Sequence, residues 1–291
     1  MKLLIIACIA SAAFANQQQQ KLDDWEYNGI WKLDPDGLRE NYRWDTMRTM
    51  REFTAETARQ CLARQKTLVI GDSTARFFFA ALADLMAIEF EKPAPLHYLP
   101  ANDTCSMPKV GWVGGCPKKT CCKRWRGEFI SSTSSVLHSD LASFMWMGAT
   151  REATPERLSL GCNNETGVLM FGAGLWDLLL RRKSVAVTSQ RINNTLTLLE
   201  KACPSAHTKI FLGPSSCPNT TDPWPGSAAV KMVDSLAAEL ENIVADKGWL
   251  YLNRLESQAS APTMATSLCH HHHAHGILSD THVQIVLNML C

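Results

Sequence analysis

Residues Leu68–Phe79 read LVIGDSTARFFF, an apolar run that breaks at Gly71-Asp72-Ser73 and resumes with Arg76 close behind. Thr67–Gly71 has the length and continuous apolarity of a strand buried on both faces. Ala75–Phe90 reads as a helix, closed by Pro93 and Pro95. A strand that runs through a glycine and two small polar residues straight into a helix is a building unit of a parallel α/β sheet. In such sheets reactive groups collect at the carboxyl ends of the strands, where helix N-termini point, and Ser73 falls there. Unpaired N–H groups and the positive end of the helix dipole stabilise negative charge that develops on a carbonyl oxygen. Asp72 and Ser73 are also ordinary helix-capping types, so the triplet alone leaves a cap and a nucleophile equally open.

Outward from this stretch, core-like segments alternate. Residues Thr46–Gln65 carry Met47, Met50, Ala58, Cys61 and Leu62 at helical spacing, with Thr54 filling a gap in the stripe. Beyond the first unit come GVLMFG (Gly167–Gly172) as a strand, Val187–Ala202 as a helix, KIFLG as a strand, Ala228–Asp246 as a helix and WLYL as a strand. This order predicts a parallel sheet covered by helices on both faces. Residues 91–135, rich in Pro, Gly, Cys and Lys, have no period and are expected to form a disulfide-braced insertion. Ahead of the domain, residues 16–45 hold a QQQQ tract, expected to be disordered, and Trp25, Tyr27, Trp31, Tyr42 and Trp44 in an irregular strap.

MKLLIIACIASAAFA, residues 1–15, has the charge, apolar run and small-residue ending of a secretory signal peptide cut after Ala15. Lys2 is its one charged residue, so the remaining chain balances 28 basic against 28 acidic residues. No global field recommends nucleic acid or an anionic membrane, and no apolar stretch is long enough for stable membrane insertion. Loss of Cys8 leaves ten cysteines, which in an oxidising compartment read as up to five disulfides. Zinc is the weaker alternative, because Cys116, Cys121 and Cys122 lack paired spacing. Cys269 and Cys291 bracket the tail, and their pairing would tie the chain end to the preceding loop. Sequons at Asn102, Asn164, Asn193 and Asn219 fit the same secreted or lumenal route.

A nucleophilic serine needs a base, and the base needs an orienting group. Near the C-terminus, SDTHV supplies His282 with Asp280 two residues before it, at an expected loop-to-helix junction. Ser73 and His282 together favour a hydrolytic or acyl-transfer site.

LVIGDSTAR together with the terminal Asp/His block resembles the SGNH, or GDSL-like, hydrolase superfamily. GDSTAR with Arg76, FGAGLWDLL and the cysteine-rich setting resemble its PC-esterase branch, which includes trichome-birefringence-like and capsule-type O-acetyltransferases and related esterases. The resemblance implies a three-layer α/β/α sandwich, flavodoxin-like, over residues 46–291. It also implies that Ser73 attacks an ester carbonyl and His282 is its base. Two departures stand out. Where the superfamily carries Gly-x-Asn, this chain has Gly174-Leu175-Trp176, so the oxyanion hole falls to the backbone N–H of Ser73 and of Gly172 or Gly174. Where it carries Asp-x-x-His, this chain has Ser279-Asp280-Thr281-His282, leaving Asp280 as the orienting carboxylate or Ser279 in its place as part of a dyad.

Arg76 and Trp176 are candidate substrate-binding residues; each has a structural alternative, a solvent-facing arginine and a packed aromatic. Asp177 is read as a helix cap. His270–His273 with His275 would make a solvated loop or a metal site, without a complete catalytic metal motif. Lys118, Lys119, Lys123, Arg124 and Arg126, interleaved with Trp125, would meet an anionic glycan or form ordinary surface. The expected function is a secreted serine esterase or O-acyltransferase on acyl, chiefly acetyl, esters of glycans, with no cofactor. The competing expectations are a non-catalytic glycan-binding or surface-structural protein on a degenerate SGNH fold, a metal-dependent hydrolase using the histidines, and a lipid esterase.

Overall fold

The computed structural model describes residues 17, 19–20, 29–33, 42–46, 50–88, 136–137, 139–214, 226–254 and 277–291. The signal-peptide segment, the cysteine-rich insertion with its basic cluster, the histidine tract and the sequons at Asn102 and Asn219 lie outside these residues.

The N-terminal region departs from expectation. Strands β1 (Gly29–Leu33) and β2 (Tyr42–Thr46) pair antiparallel with Trp31 opposite Trp44, rather than forming an irregular strap. Two five-residue strands are too short to announce themselves by periodicity. Within the glutamine tract, the Gln19 amide accepts from Tyr251 N at 2.7 Å and donates to Tyr251 O at 2.9 Å. One side chain thus satisfies both backbone groups that a strand at a sheet edge leaves open.

Helix α1 (Ala55–Leu62) is shorter than the apolar stripe implied, because Thr54 caps it instead of lying within it. The Thr54 side chain accepts from Thr57 N, and the Thr57 hydroxyl accepts from Thr54 N at 2.9 Å. Then come β3 (Lys66–Gly71), α2 (Ser73–Leu85), β4 (Val136–Leu137), β5 (Ala142–Trp146) and α3 (Pro155–Ser159). They are followed by β6 (Thr166–Gly172), α4 (Val185–Ala202), β7 (Thr208–Leu212), α5 (Gly226–Asp246), β8 (Leu250–Leu252) and α6 (Ile277–Leu290).

The main sheet is ordered β4-β5-β3-β6-β7-β8, parallel throughout except for the short antiparallel β4. Its five parallel strands, renumbered along the chain, run 2-1-3-4-5, the flavodoxin-like winding. Alternate residues bury opposite faces. Val69, Phe144, Met170 and Ile210 meet α1, α2 and α6 through Leu62, Phe78, Phe79 and Val286. Leu68, Ile70, Phe171 and Phe211 meet α4 and α5 through Leu196, Leu199, Leu236 and Leu240. With about 1.5–3 kcal/mol for each large apolar side chain fully buried, both faces hold the sheet, and the three-layer α/β/α architecture follows.

Helix α6 closes the first face and is fastened three times. Gln284 accepts from Phe53 N at 2.8 Å and donates to Phe53 O at 3.1 Å. One turn on, Asn288 makes the same pair with Arg51, at 2.9 and 2.8 Å. Cys291 then bonds to Cys61, not to Cys269 as the tail's spacing implied. A second disulfide joins Cys162 to Cys203; the other cysteines lie outside the described residues. Among the described residues, no helix is long and apolar enough to cross a membrane.

Candidate active site

The winding of the sheet reverses between β3 and β6, and in open α/β sheets ligands bind outside the carboxyl ends of the strands at such a reversal. Two of the stretches singled out in the sequence meet here. Gly71 pairs with Gly172 at the ends of β3 and β6, and Asp72 N donates to Gly172 O at 3.0 Å. On the other side, Met147 N donates to Gly71 O at 2.7 Å, so the loop after β5 also abuts the turn. Gly71 adopts a φ of 155°, and a Cβ there would stand 1.9 Å from Gly172 O. Only glycine lets the two strand ends approach this closely.

Ser73 is the first residue of α2 and Asp72 is its N-cap, so the helix starts two residues earlier than Ala75. Asp72 is buried, and its Oδ1 accepts from Thr74 N at 2.9 Å and from the Thr74 hydroxyl at 2.8 Å. Its other oxygen, Oδ2, is buried and accepts no hydrogen bond among the described residues. Burial pushes the carboxyl above its ordinary value of 3.8, and Thr74, Arg254 and the Ala75 N–H offset this only in part.

Arg76 is not solvent-facing. It is buried, with its guanidinium carbon 5.3 Å from the ring centroid of Trp146 and 5.1 Å from that of Phe77. Trp146 in turn meets Trp176 edge to face, with centroids 5.9 Å apart. The two side chains proposed to bind substrate therefore belong to one stack, linked by a tryptophan at the end of β5.

Gly174, after β6, has a φ of 121°, and a Cβ there would fall 2.8 Å from Ile192 Cδ1. The chain then enters a π-helical turn, Trp176–Leu180. Asp177 is fully buried in this turn and does not cap its own helix. Instead its Oδ2 accepts from Thr150 N at 2.9 Å and the Thr150 hydroxyl at 2.8 Å, capping from across a gap the 3-10 turn Thr150–Glu152. Its Oδ1 lies 3.0 Å from Arg191 and 3.9 Å from Arg181. Glu152 extends the network to Arg157 at 3.0 Å and to Gly148 N at 3.2 Å, and Arg157 donates to Trp146 O at 2.6 Å. These bonds fix the loops after β5 and β6 against each other beside the Ser73 turn.

His282 is not at a loop-to-helix junction but inside α6, where it is buried. Helix α6 packs on α2, the helix headed by Ser73. The Cys61–Cys291 bond holds the end of α6 near the segment that enters β3. The first half of α6, with His282, is accordingly directed toward the carboxyl end of the sheet. Asp280 and His282 stand two positions apart on this helix, and such residues do not face each other. Ser279, three positions before His282, shares its side and is buried. Asp280 lies in the first turn of α6, where an acidic residue is also favoured by the helix dipole.

Two residues escaped the sequence reading. Arg254, just past β8, is buried and donates to Gly213 O at 2.7 Å and to the Thr74 hydroxyl at 3.1 Å. Trp146 ends β5, a strand hidden behind the insertion. Neither position carries a motif. A signal for β5 lay in the apolar residues of Leu141–Met147.

No protein-family model matches the chain, and no curated protein sequence does. Among solved structures it is similar to a GDSL-like lipase from Parabacteroides merdae, at 11% identity and a TM-score of 0.44, over 78% of this chain and 94% of that one. It is also similar to a peptidoglycan O-acetylesterase, at 10% identity and a TM-score of 0.43, over 81% of this chain and 92% of that one. Likeness at this level carries no argument about chemistry, and the fold rests on strand order and register.

Proposed function

We propose that the chain is an SGNH-type serine esterase or O-acyltransferase acting on acyl esters of glycans, chiefly acetyl esters, outside the cell or in the secretory lumen. The observation that carries this reading is the pairing of the Gly71–Ser73 turn, at the reversal of the sheet, with a C-terminal helix that packs on the Ser73 helix and buries His282. Ser73 Oγ attacks the acyl carbon while His282 takes its proton, and the N–H groups of Ser73 and of Gly172 or Gly174 receive the oxyanion. Collapse breaks the ester bond, and the departing sugar oxygen regains the proton from His282. Water then attacks the acyl-serine, or a sugar hydroxyl does; the first outcome is an esterase and the second a transferase. His282 is oriented by a neighbour on α6, Asp280 or, in its place, Ser279, which shares its side of the helix. In the stack of Arg76, Trp146 and Trp176 the first two are buried, so Trp176, held edge to face by Trp146, is the ring proposed to meet a sugar.

The test is labelling with a fluorophosphonate together with acetate release from acetylated polysaccharides. Wild type is expected to label at Ser73. Ser73→Ala and His282→Ala are expected to lower turnover by about 10³-fold or more, as loss of a nucleophile or its base does. Folded wild-type protein that neither labels nor releases acetate ends the reading and leaves a non-catalytic binder.

A further inference from the structure

The steps above make no use of Arg254, although a buried arginine needs a reason. Taking a guanidinium out of water is costly, and an apolar side chain of similar volume commonly serves a structural need as well. Arg254 is 2% exposed. Its Nε donates to Gly213 O at 2.7 Å, and Nη2 donates both to that carbonyl and to the Thr74 hydroxyl, the latter at 3.1 Å. The anchor is itself fixed, since Gly213 N donates to Leu252 O at 2.9 Å and ties the exit of β7 to the end of β8.

The direction of the chain follows from proton count. A threonine hydroxyl has one proton, and Thr74 gives it to Asp72 Oδ1 at 2.8 Å. Arg254 has only donors, so it donates to Thr74, which donates to Asp72. Thr74 N reaches the same carboxylate oxygen at 2.9 Å. The residues immediately before and after Ser73 are thereby held from one cation standing on the far strands of the sheet. A structural filler at the end of β8 would require no such reach, and Arg254 serves Asp72 through Thr74 while Oδ2 accepts no hydrogen bond among the described residues.

We infer that Arg254 is a positioning residue of the Ser73 site: acting through Thr74 and Asp72, it fixes the first turn of α2 and with it the nucleophile and the N–H groups beside it. The inference rests on Ser73 being the nucleophile. Loss of the chain is expected to slow chemistry without weakening ground-state binding, because it shifts reacting groups that work only in one alignment.

The experiment compares wild type, Arg254→Met, Arg254→Lys and Thr74→Val in full-length protein. It uses p-nitrophenyl acetate hydrolysis, fluorophosphonate labelling rates and thermal melting. Arg254→Met and Thr74→Val are expected to lower kcat and the labelling rate by about 10- to 100-fold with KM within about twofold. Arg254→Lys is expected to recover several-fold over Arg254→Met, since an ammonium can still donate to Thr74. Wild-type rates in folded Arg254→Met, or a loss confined to KM, overturn the inference while wild-type labelling keeps the Ser73 reading intact. If Arg254→Met does not fold, Thr74→Val decides: a wild-type kcat there overturns the inference. A wild type that fails to label at Ser73 overturns both.

Discussion

Asp72 and Asp177 are near-copies in local chemistry and opposites in circumstance. Each is a buried aspartate past the carboxyl end of a neighbouring strand, and each accepts the backbone N–H and the hydroxyl of one threonine on one oxygen. Asp177 has its second oxygen at 3.0 Å from Arg191, with Arg181 at 3.9 Å. Asp72 has its second oxygen bare among the described residues, and its arginine touches it only through Thr74. A fully satisfied buried carboxylate rigidifies its surroundings, whereas a half-satisfied one stores unfavourable desolvation. Asp177 accordingly reads as a staple between the loops after β5 and β6. Asp72 reads as strain placed next to the candidate nucleophile, where residues departing from local optima concentrate.

The largest effect is expected at the staple. Asp177→Ala leaves the Thr150 N–H and hydroxyl without their acceptor in the interior and takes the partner from Arg191, whose side chain is 34% exposed. The cost of breaking a fully buried pair, about 3–5 kcal/mol, is therefore reached only at its lower end, about 3 kcal/mol. Urea unfolding at neutral pH measures it. A loss under about 1 kcal/mol, the range of exposed ion pairs, would erase the distinction between the two sites.

How much of this was legible in the sequence depends on which signals are local. Thr67–Gly71 and Gly167–Gly172 are continuous apolar runs, and Val187–Ala202 and Ala228–Asp246 have the length and composition of helices, so the three layers could be read from them. Strand β5 was missed because Ala142-Ser143-Phe144-Met145-Trp146 is short and directly follows a segment without period. The start of α6 was misplaced because Ile277-Leu278 follows a histidine tract, and the helix therefore already encloses His282. Inside the helix it is Ser279, three positions before His282, whose spacing shares a side with the histidine. Ser73 and Gly172 were visible as local breaks in apolar runs. Arg254 was not, because its role exists only through a long-range bond to Thr74, 180 residues away in the chain. Asp177 was read as a cap and is one, but for a turn elsewhere in the chain, which no local pattern records.

Paired threonine substitutions sharpen the comparison at intermediate size. Thr150→Val takes one donor from Asp177 but leaves Thr150 N and two arginines. Thr74→Val takes one of the two hydrogen bonds to Asp72 and strands one arm of Arg254. Leaving a buried group unsatisfied costs about 1–3 kcal/mol, so Thr74→Val is expected near the top of that range and Thr150→Val near the bottom. Denaturant midpoints of the two variants at one pH give the order. The reverse order would mean that Asp72 is the better satisfied carboxylate.

The smallest effect, and the most specific, is that of Asp72→Asn on the pH dependence of stability. An aspartate whose folded pKa lies above its unfolded one binds a proton more tightly in the native state. Between the two values the native state therefore holds more protons, and stability falls as pH rises. Below the ordinary value of 3.8 the carboxyl is protonated in both states and carries no penalty; above the raised folded value the full penalty is present. Asparagine keeps the acceptor for Thr74 and carries no charge, but it puts an N–H₂ where Oδ2 finds no partner among the described residues. The absolute stabilities of the two proteins are thus expected to lie within about 1 kcal/mol, since removal of the buried charge and the unpaired amide oppose each other. The sign of the slope is not subject to that cancellation. Urea unfolding in steps from pH about 3.5 to 7.5 at fixed ionic strength is expected to show Asp72→Asn gaining on wild type as pH rises from the ordinary aspartate value. A difference that shrinks with pH would mean that Asp72 is held ionised by groups that outweigh its burial, and the contrast with Asp177 would disappear.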